Sequence, residues 1–532
     1  MTRHVSNNHL AMSRPLVVGA VVLFLAGCTV GPHYQPPRTT LPGAWGELPK
    51  VGAPSNPVAR PSTATSAPIP LAEWWTTFHD PRLNTLVERA VRANPDLRRA
   101  QARVREARAQ RGVVTADLFP TVSASGSYQR SRTSKNAFNA PQGAGGSQAA
   151  GSLGLENNLY QAGFDASWEI DVFGGVRRNI ETADADLAAE IENRRDVLVS
   201  LLAEVARNYV ELRGSQRQAT IARANLEAQQ ETLELTRIRL AAGLVSDLDV
   251  ARAEAQVQTT ASQIPALESS ARQSIHLLSV LLAQAPNTLM EELAHETPIP
   301  PAPPEVPVGL PSELLRRRPD VRRAERQVAA ATARIGVATA DLFPKFSLSG
   351  SGGIESVSTS DFFTAGSRFF SVGPTVRWPI LDFGRIRNNI DVQSAREEQA
   401  AAAYEQAVLT SLREVEDALV SFSKEQARRQ TLAGAVDANR RAAGLANQLY
   451  QQGRSDFLSV LQAQRDLYAS EDALVQSDRS VSSDLVALYK ALGGGWEVEA
   501  MADRDLPRGK AGSRILDVMP PQPEGDPRPS GN

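Results

Sequence analysis

Of 532 residues only Cys28 is a cysteine, so the chain has no internal disulfide and no thiolate metal cage. Aromatic residues make up 5% of it, too few for a large mixed core, whereas abundant alanine suits close helix packing. Basic and acidic residues nearly balance, leaving a formal charge of −2, and no basic patch marks a nucleic-acid surface. Short clusters such as Arg316-Arg317-Arg318 read as a solvated helix start. Histidine is scarce as well. Past the leader only His33, His79, His276 and His295 remain, none spaced as a metal-ligand pair or set beside a nucleophile motif. The glycine-rich stretch 143–151 precedes no helix and lacks the lysine of a phosphate loop. Catalysis, cofactors and metals are therefore not expected. No segment offers the run of about 18 apolar residues that a transmembrane helix needs.

The leader accounts for the single cysteine. Arg3 and Arg14 precede a short apolar run from Pro15 to Phe24, followed by Leu25-Ala26-Gly27-Cys28. The run is too short to span a bilayer and reads as a secretory signal over residues 1–27, with Met12 an alternative start. Leu-Ala-Gly-Cys resembles a bacterial lipobox, which makes Cys28 the acylated first residue of the mature chain. Thr29, where an aspartate would hold a lipoprotein at the inner membrane, favours the outer membrane. Residues 28–72, rich in Pro, Thr and Ser, form an extended strap from that anchor.

What the chain has in quantity is helix. From Ile380 to Leu506 there is no proline and no long apolar block. Between Gly384 and Gly453 the composition favours one helix about 100 Å long. Val408, Val415, Phe422, Arg429, Val436, Ala443 and Tyr450 recur every seventh residue, apolar at all but Arg429, and such a seam buries against another helix. Gly453 breaks the helix, and a second runs from about Phe457 to Leu492 before Gly493-Gly494-Gly495.

The pattern occurs twice. Asp117-Leu118-Phe119-Pro120 returns as Asp341-Leu342-Phe343-Pro344, and Asn94-Pro95-Asp96 as Arg318-Pro319-Asp320. Leu198, Val205, Leu212, Ala219, Leu226, Leu233 and Leu240 stand where the second copy has its heptad, and Gly243 matches Gly453. A tandem duplication follows, with repeats at 73–286 and 319–496, a Pro-rich linker at 287–318 and a flexible tail at 497–532. Between the helices of each copy lie period-two segments. They are Thr121 to Tyr128, Phe164 to Asp171, Lys345 to Ser351 and Val372 to Trp378, with Trp168 and Trp378 near the ends. The period fits lipid-facing and lumen-facing rows of a membrane β-strand, although a soluble hairpin with one buried face has it too. The loops 131–160 and 354–370 are expected outside the cell. Four strands cannot close a barrel, which needs at least about eight, and bilayers do not tolerate open edges. Three chains would give twelve strands by cyclic symmetry.

Taken together the chain resembles the TolC-like outer-membrane factors, in the lipoprotein branch called the OprM/NodT group. The likeness rests on Leu25 to Cys28, Gly31-Pro32-His33-Tyr34, the two Asp-Leu-Phe-Pro motifs, Trp378 to Gly384, Tyr450 to Arg465, and Tyr489-Lys490-Ala491-Leu492-Gly493-Gly494-Gly495-Trp496. It implies an α+β membrane protein: a homotrimer whose twelve-stranded barrel continues into a long periplasmic α-helical barrel. It further implies a passive exit duct for small toxic compounds, docked to a periplasmic adaptor and an inner-membrane efflux transporter. The resemblance also places a gate at the hairpin tips, at Tyr450, Gly453, Ser455, Leu458, Ser459, Gln462 and Arg465. Gln462 departs from the acidic residue usual in the branch and Ser459 lacks the carboxylate of TolC itself; Asp456 and Asp466 near Gly453, and Asp247 and Asp249 near Gly243, are candidates to replace that charge. A duct for secreted polypeptides or oligosaccharides is the alternative within the same fold. A purely coiled-coil filament would leave the period-two strands unexplained.

Overall fold

The structure, a computed structural model, describes residues 29–47, 63–65, 71–132, 156–303 and 305–497. The leader, Cys28 and the tail past 497 lie outside the described residues. Helix starts follow local chemistry. The Asp80 carboxylate accepts from the backbone N–H groups of Arg82 (2.8 Å) and Leu83 (3.2 Å), and Pro81 opens α1 (Pro81–Ala93). Asn94 does the same through Asp96 and Leu97 for α2 (Pro95–Ala116). Strands β2 (Thr121–Arg132) and β3 (Glu156–Ile170) lead into α3 (Gly175–Ala241) and α4 (Asp247–Leu281). The second repeat has α7 (Pro319–Ala340), β5 (Lys345–Ser356), β6 (Arg368–Arg377), α8 (Arg385–Gln451) and α9 (Phe457–Ala491). Between the repeats lie α5 (Met290–Leu293), β4 (Glu305–Pro307) and α6 (Pro311–Arg317), and β4 pairs in parallel with β1 (Thr63–Thr65) of the strap.

The duplication is metrical. Helices α2 and α7 have 22 residues each, α3 and α8 have 67, α4 and α9 have 35, and β2 and β5 have 12. Each 67-residue helix is about 100 Å long. One shift carries Gly175 to Arg385 and Leu281 to Ala491, and a second carries Pro95 to Pro319.

Two cores hold the hairpins. At the equator Leu198, Leu202 and Tyr209 of α3 meet Leu485 and Tyr489 of α9 and the Trp74-Trp75 corner, where Trp74 stacks on Tyr489 with centroids 5.1 Å apart. Toward the tips Leu233, Val250, Val257, Tyr450, Phe457 and Val460 form a second cluster. The heptad of α8 is buried as its spacing demands, at Val408, Val415, Phe422, Val436 and Tyr450, and Arg429 meets Asp478 in an ion pair.

Arg318 is not solvated, contrary to the expectation for its cluster. Helix α6 ends before it, and the side chain turns inward to 8% exposure. It pairs with Asp320 at 2.7 Å and Glu414 at 2.6 Å and donates to the Ala491 carbonyl at 3.0 Å. The last carbonyls of a helix need donors, and α9 takes one here. In the first repeat Asn94 Nδ2 donates at 2.9 Å to Leu281 O, the equivalent carbonyl of α4.

The strands form one antiparallel sheet in the order β2-β3-β5-β6. They run longer than the period-two segments suggest, reaching Arg132, Glu156, Ser356 and Arg368. The register sorts the faces. Ser123, Asp165, Ser351 and Ser371 lie side by side in one row, flanked by the row Thr121, Ser167, Ser349 and Gly373. Rows on the other face hold Val122, Ala166, Gly350 and Val372, then Trp168, Leu348 and Pro374. One face is apolar and the other hydroxyl-lined. Trp168 and Trp378 donate their indole N–H groups to the carbonyls of Leu118 (2.9 Å) and Leu342 (3.1 Å), tying each sheet end to its helix.

Candidate functional site

Each long hairpin turns at a glycine that must be left-handed, Gly243 at φ +73° and Gly453 at φ +72°. The returning helices are then pinned in mirror-image order. In the first tip Ser246 N–H (3.1 Å) and its hydroxyl (2.8 Å) donate to the Asp249 carboxylate three residues on. In the second tip the carboxylate comes first: Asp456 accepts from Ser459 N–H (3.0 Å) and hydroxyl (2.5 Å). These bonds, the hydroxyl's first, hold the Asp456 carboxyl below its ordinary range, so it stays charged at the tip. Asp247 is exposed in the first turn of α4.

The remaining sequence-predicted residues separate into three environments. Leu458 beside the second turn is 50% exposed, and Leu244 and Leu248 beside the first are exposed too, so both turns present an apolar rim. Ser455 is half-buried, and Gln462 is exposed and donates to Asp466 Oδ1 at 2.8 Å. Arg465 bridges the hairpins, its Nε donating to Gln256 Oε1 at 2.6 Å. Tyr450 is buried to 1% in the tip cluster, with its hydroxyl 3.3 Å from that of Thr236.

One residue of the tip escapes the sequence reading. The guanidinium of Arg239 lies 4.4 Å from the centroid of the Tyr450 ring and donates to the Tyr450 carbonyl. It thus grips the second tip from the first, one turn before Gly243. The available signal was a difference between the repeats: Leu449 occupies the corresponding place in the second. Two further bonds cross between the hairpins above it, Gln464 Nε2 to Thr232 Oγ1 (2.9 Å) and the Tyr468 hydroxyl to Gln263 Oε1 (2.6 Å). The tip therefore combines fixed carboxylates, an apolar rim and a hydrogen-bonded seam inside the chain.

Against known proteins, the family model described as outer membrane efflux protein matches residues 86–284 and 310–494. The chain is 32% identical to a nodulation protein T of Rhizobium leguminosarum bv. trifolii, over 90% of this chain and 97% of that protein. It is 34% identical to the pyoverdine export outer membrane protein OpmQ of Pseudomonas aeruginosa, over 80% of this chain and 88% of that one. Among solved structures, the outer-membrane channel OprN superposes with a TM-score of 0.78 at 37% identity, covering 88% of this chain and 100% of OprN. The open state of the Neisseria gonorrhoeae MtrE outer membrane channel gives 0.72 at 28% identity, over 88% of this chain and 99% of that one.

Proposed function

The chain belongs to the outer membrane efflux protein family, and from that premise we propose that three copies close one pore whose periplasmic tip is a gate. It is an exit duct of an efflux system, set in the outer membrane and reaching into the periplasm. The observation that carries the three-copy reading is the sheet. Four strands have one apolar and one hydroxyl-lined face and leave β2 and β6 as edges. Unpaired edges are not tolerated in lipid, so β6 of one copy pairs with β2 of the next. Twelve strands enclose a lumen with the hydroxyl face inside, and helices of about 100 Å extend it below the membrane.

Cys28, acylated, anchors the strap at the base of that barrel. Thr29 supports this placement, because its Cα and side chain pack against Gly174, at the junction of β3 and α3. The partners in this reading are a periplasmic adaptor and an inner-membrane transporter, and the cargo is small toxic compounds. At the tip Leu458 narrows the opening, Asp456 and Asp249 hold the turns, and Arg465 restrains the returning helices. The test is single-channel recording of Leu458→Ala with Arg465→Ala in planar bilayers. A larger conductance than wild type is expected, and an unchanged one would remove the gate from these residues.

A further inference from the structure

The two shifts that relate the repeats also fix how one copy's sheet meets the next. The shift of Pro95 onto Pro319 carries β2 onto β5, and that of Gly175 onto Arg385 carries β3 onto β6. Applied to the β2–β3 register, where Thr121 faces Ser167, they place Lys345 opposite Arg377, which is the β5–β6 register observed. Applied to the β3–β5 register, they give the register of β6 on β2 of the next copy. Tyr160 opposite Ser356 becomes Phe370 opposite Arg132 of the next copy, and Ala162 opposite Ile354 becomes Val372 opposite Arg130.

Followed from Val122 toward the loops, the apolar face changes character. Tyr128 and Tyr160 lie side by side and stack with centroids 4.8 Å apart. Beyond them the same face carries Arg130, Arg132 and Glu156, and at the other edge of the sheet Arg368, all exposed. Glu156 is the one carboxylate on this face of the four strands, and it takes both Arg130 (2.8 Å) and Arg132 (3.4 Å). Arg368 stands opposite Ile354 and has no ion pair among the described residues. Across the seam Arg368 falls diagonal to Arg132 of the next copy, with about 7–8 Å between the two positions. Three guanidiniums thus share one carboxylate, and like charges on facing strands repel unless an anion lies between them. The equivalent place inside the chain holds Asn158, Ser356 and Ile354, none of them charged.

The height of this cluster identifies what meets it. From Trp378 back to Arg368 the strand runs about 34 Å. A tilt of about 40° makes that about 25 Å across the membrane, the height of the apolar band of an outer-membrane barrel. The arginines therefore stand level with the outer headgroups. Below them Phe370, Val372 and Val376 are 87%, 72% and 59% exposed and face the acyl chains. We propose that each seam between copies binds a lipid of the outer leaflet whose headgroup carries two phosphates. Arg368 of one copy and Arg130 and Arg132 of the next hold the phosphates, and the apolar column below takes the chains. A guanidinium meets phosphate oxygens through paired N–H bonds, and three arginines against Glu156 leave two positive charges for two phosphates. The exposed pairs to Glu156 are weak and yield readily to a phosphate. The inference rests on the three-copy reading, because one copy alone keeps Arg368 and Arg130 on opposite edges of its sheet.

The test is native mass spectrometry of the full-length channel, purified in detergent, stripped of lipid and mixed with diphosphoryl lipid A. One lipid per seam is expected to stay bound, and dephosphorylated lipid A to be retained several-fold less. Arg368→Gln with Arg132→Gln should lower retention of the diphosphoryl form several-fold, with the oligomer mass unchanged in the same spectrum. Arg92→Gln with Arg428→Gln, an equal loss of exposed charge on the helices, should leave retention as in wild type. Equal retention of the two lipids, or retention blind to Arg368 and Arg132, overturns the lipid site. Displacement of the lipid by excess inorganic phosphate also overturns it, leaving a site for free anions. The seam is tested separately by Gly126→Cys with Val376→Cys, which the register sets opposite each other below the arginines. A Cβ at Gly126 meets nothing closer than 3.9 Å, so the cysteine fits. A short bis-maleimide should give linked oligomers on a denaturing gel. Linked oligomers with phosphate-blind retention remove the lipid site and leave the ring standing, whereas monomer alone removes the seam and the site with it.

Discussion

Phe173 stacks on Phe343 with ring centroids 4.6 Å apart and planes 21° from parallel, joining the strand–helix junction of the first repeat to the end of α7 in the second. Their equivalents under the duplication are Phe383 and Phe119, which do not meet inside the chain and are 90% and 65% exposed. Two exposed phenylalanines equivalent to an internal stacked pair are placed to make the same contact between copies in the proposed three-copy ring. Phe119→Cys with Phe383→Cys should form disulfide-linked oligomers on mild oxidation, since the native chain's one cysteine is Cys28. Either single variant should stay monomeric on a non-reducing gel, and monomer alone from the pair would contradict the interface.

The strap is held by a buried cation. Arg178, 2% exposed, donates to the carbonyls of Val30 (3.1 Å) and Gly31 (3.3 Å) and pairs with Glu181 at 2.7 Å. Gly31 sits at φ +87°, and a Cβ there would lie 2.5 Å from the Gly336 Cα. Gly31→Ala therefore meets both backbone strain and a backbone clash, a cost of about 1–3 kcal/mol from the strain alone. Limited proteolysis should release the N-terminal strap faster from this variant and from Arg178→Ala than from wild type. Equal rates would show that the strap is held elsewhere.

How much of this could be read from the residues depends on the range of the force involved. The long helices, their turns at Gly243 and Gly453 and the duplication follow from local rules, and the heptad ending at Tyr450 predicts its burial. Arg318 misled because its environment is set by Ala491 and Glu414, distant in the chain, and a run of three arginines carries no mark of which one turns inward. Arg239 is silent for the same reason, since its partner Tyr450 lies in the other repeat. The sheet is an intermediate case. Period two told the faces apart, but only the register brings Asp165 into line with Ser123, Ser351 and Ser371.

Burial first, and the neighbouring Glu425 carboxylate second, push the Asp484 carboxyl up to about 6 from an ordinary 3.8. The folded chain therefore prefers Asp484 protonated. That contribution to stability is complete below pH 3.8 and is lost as the pH rises through about 6. At pH 7.5 the ionised group costs stability, so Asp484→Asn should raise the thermal midpoint there. The gain should shrink toward zero near pH 4. Melting curves of both proteins across that range check it, and parallel profiles would refute the assignment.

The hydroxyl face of the sheet carries Asp165 in its middle rows, with Glu169 two rows toward one end and Glu355 two rows toward the other. Asp165 accepts from the Ser125 hydroxyl at 3.1 Å, and no Lys or Arg stands in its row or in the flanking row of Thr121, Ser167, Ser349 and Gly373. The nearest cations on that face, Lys345 and Arg377, lie at the lower end of the sheet, where Lys345 is paired with Asp341 at 2.9 Å. Three copies would set a ring of three such carboxylates in the lumen, concentrating cations and repelling anions there. The tip lies in series with this ring and limits the current when narrow, so the effect must be read with the tip widened. In the Leu458→Ala, Arg465→Ala background, Asp165→Asn should lower the cation-to-anion permeability ratio several-fold, measured as a reversal potential across a salt gradient. The loss should be largest in dilute salt, where the Debye length is about 30 Å at 0.01 M, and should fade at 1 M, where it is about 3 Å. A ratio that ignores the substitution at every ionic strength would show that Asp165 does not set the charge selectivity.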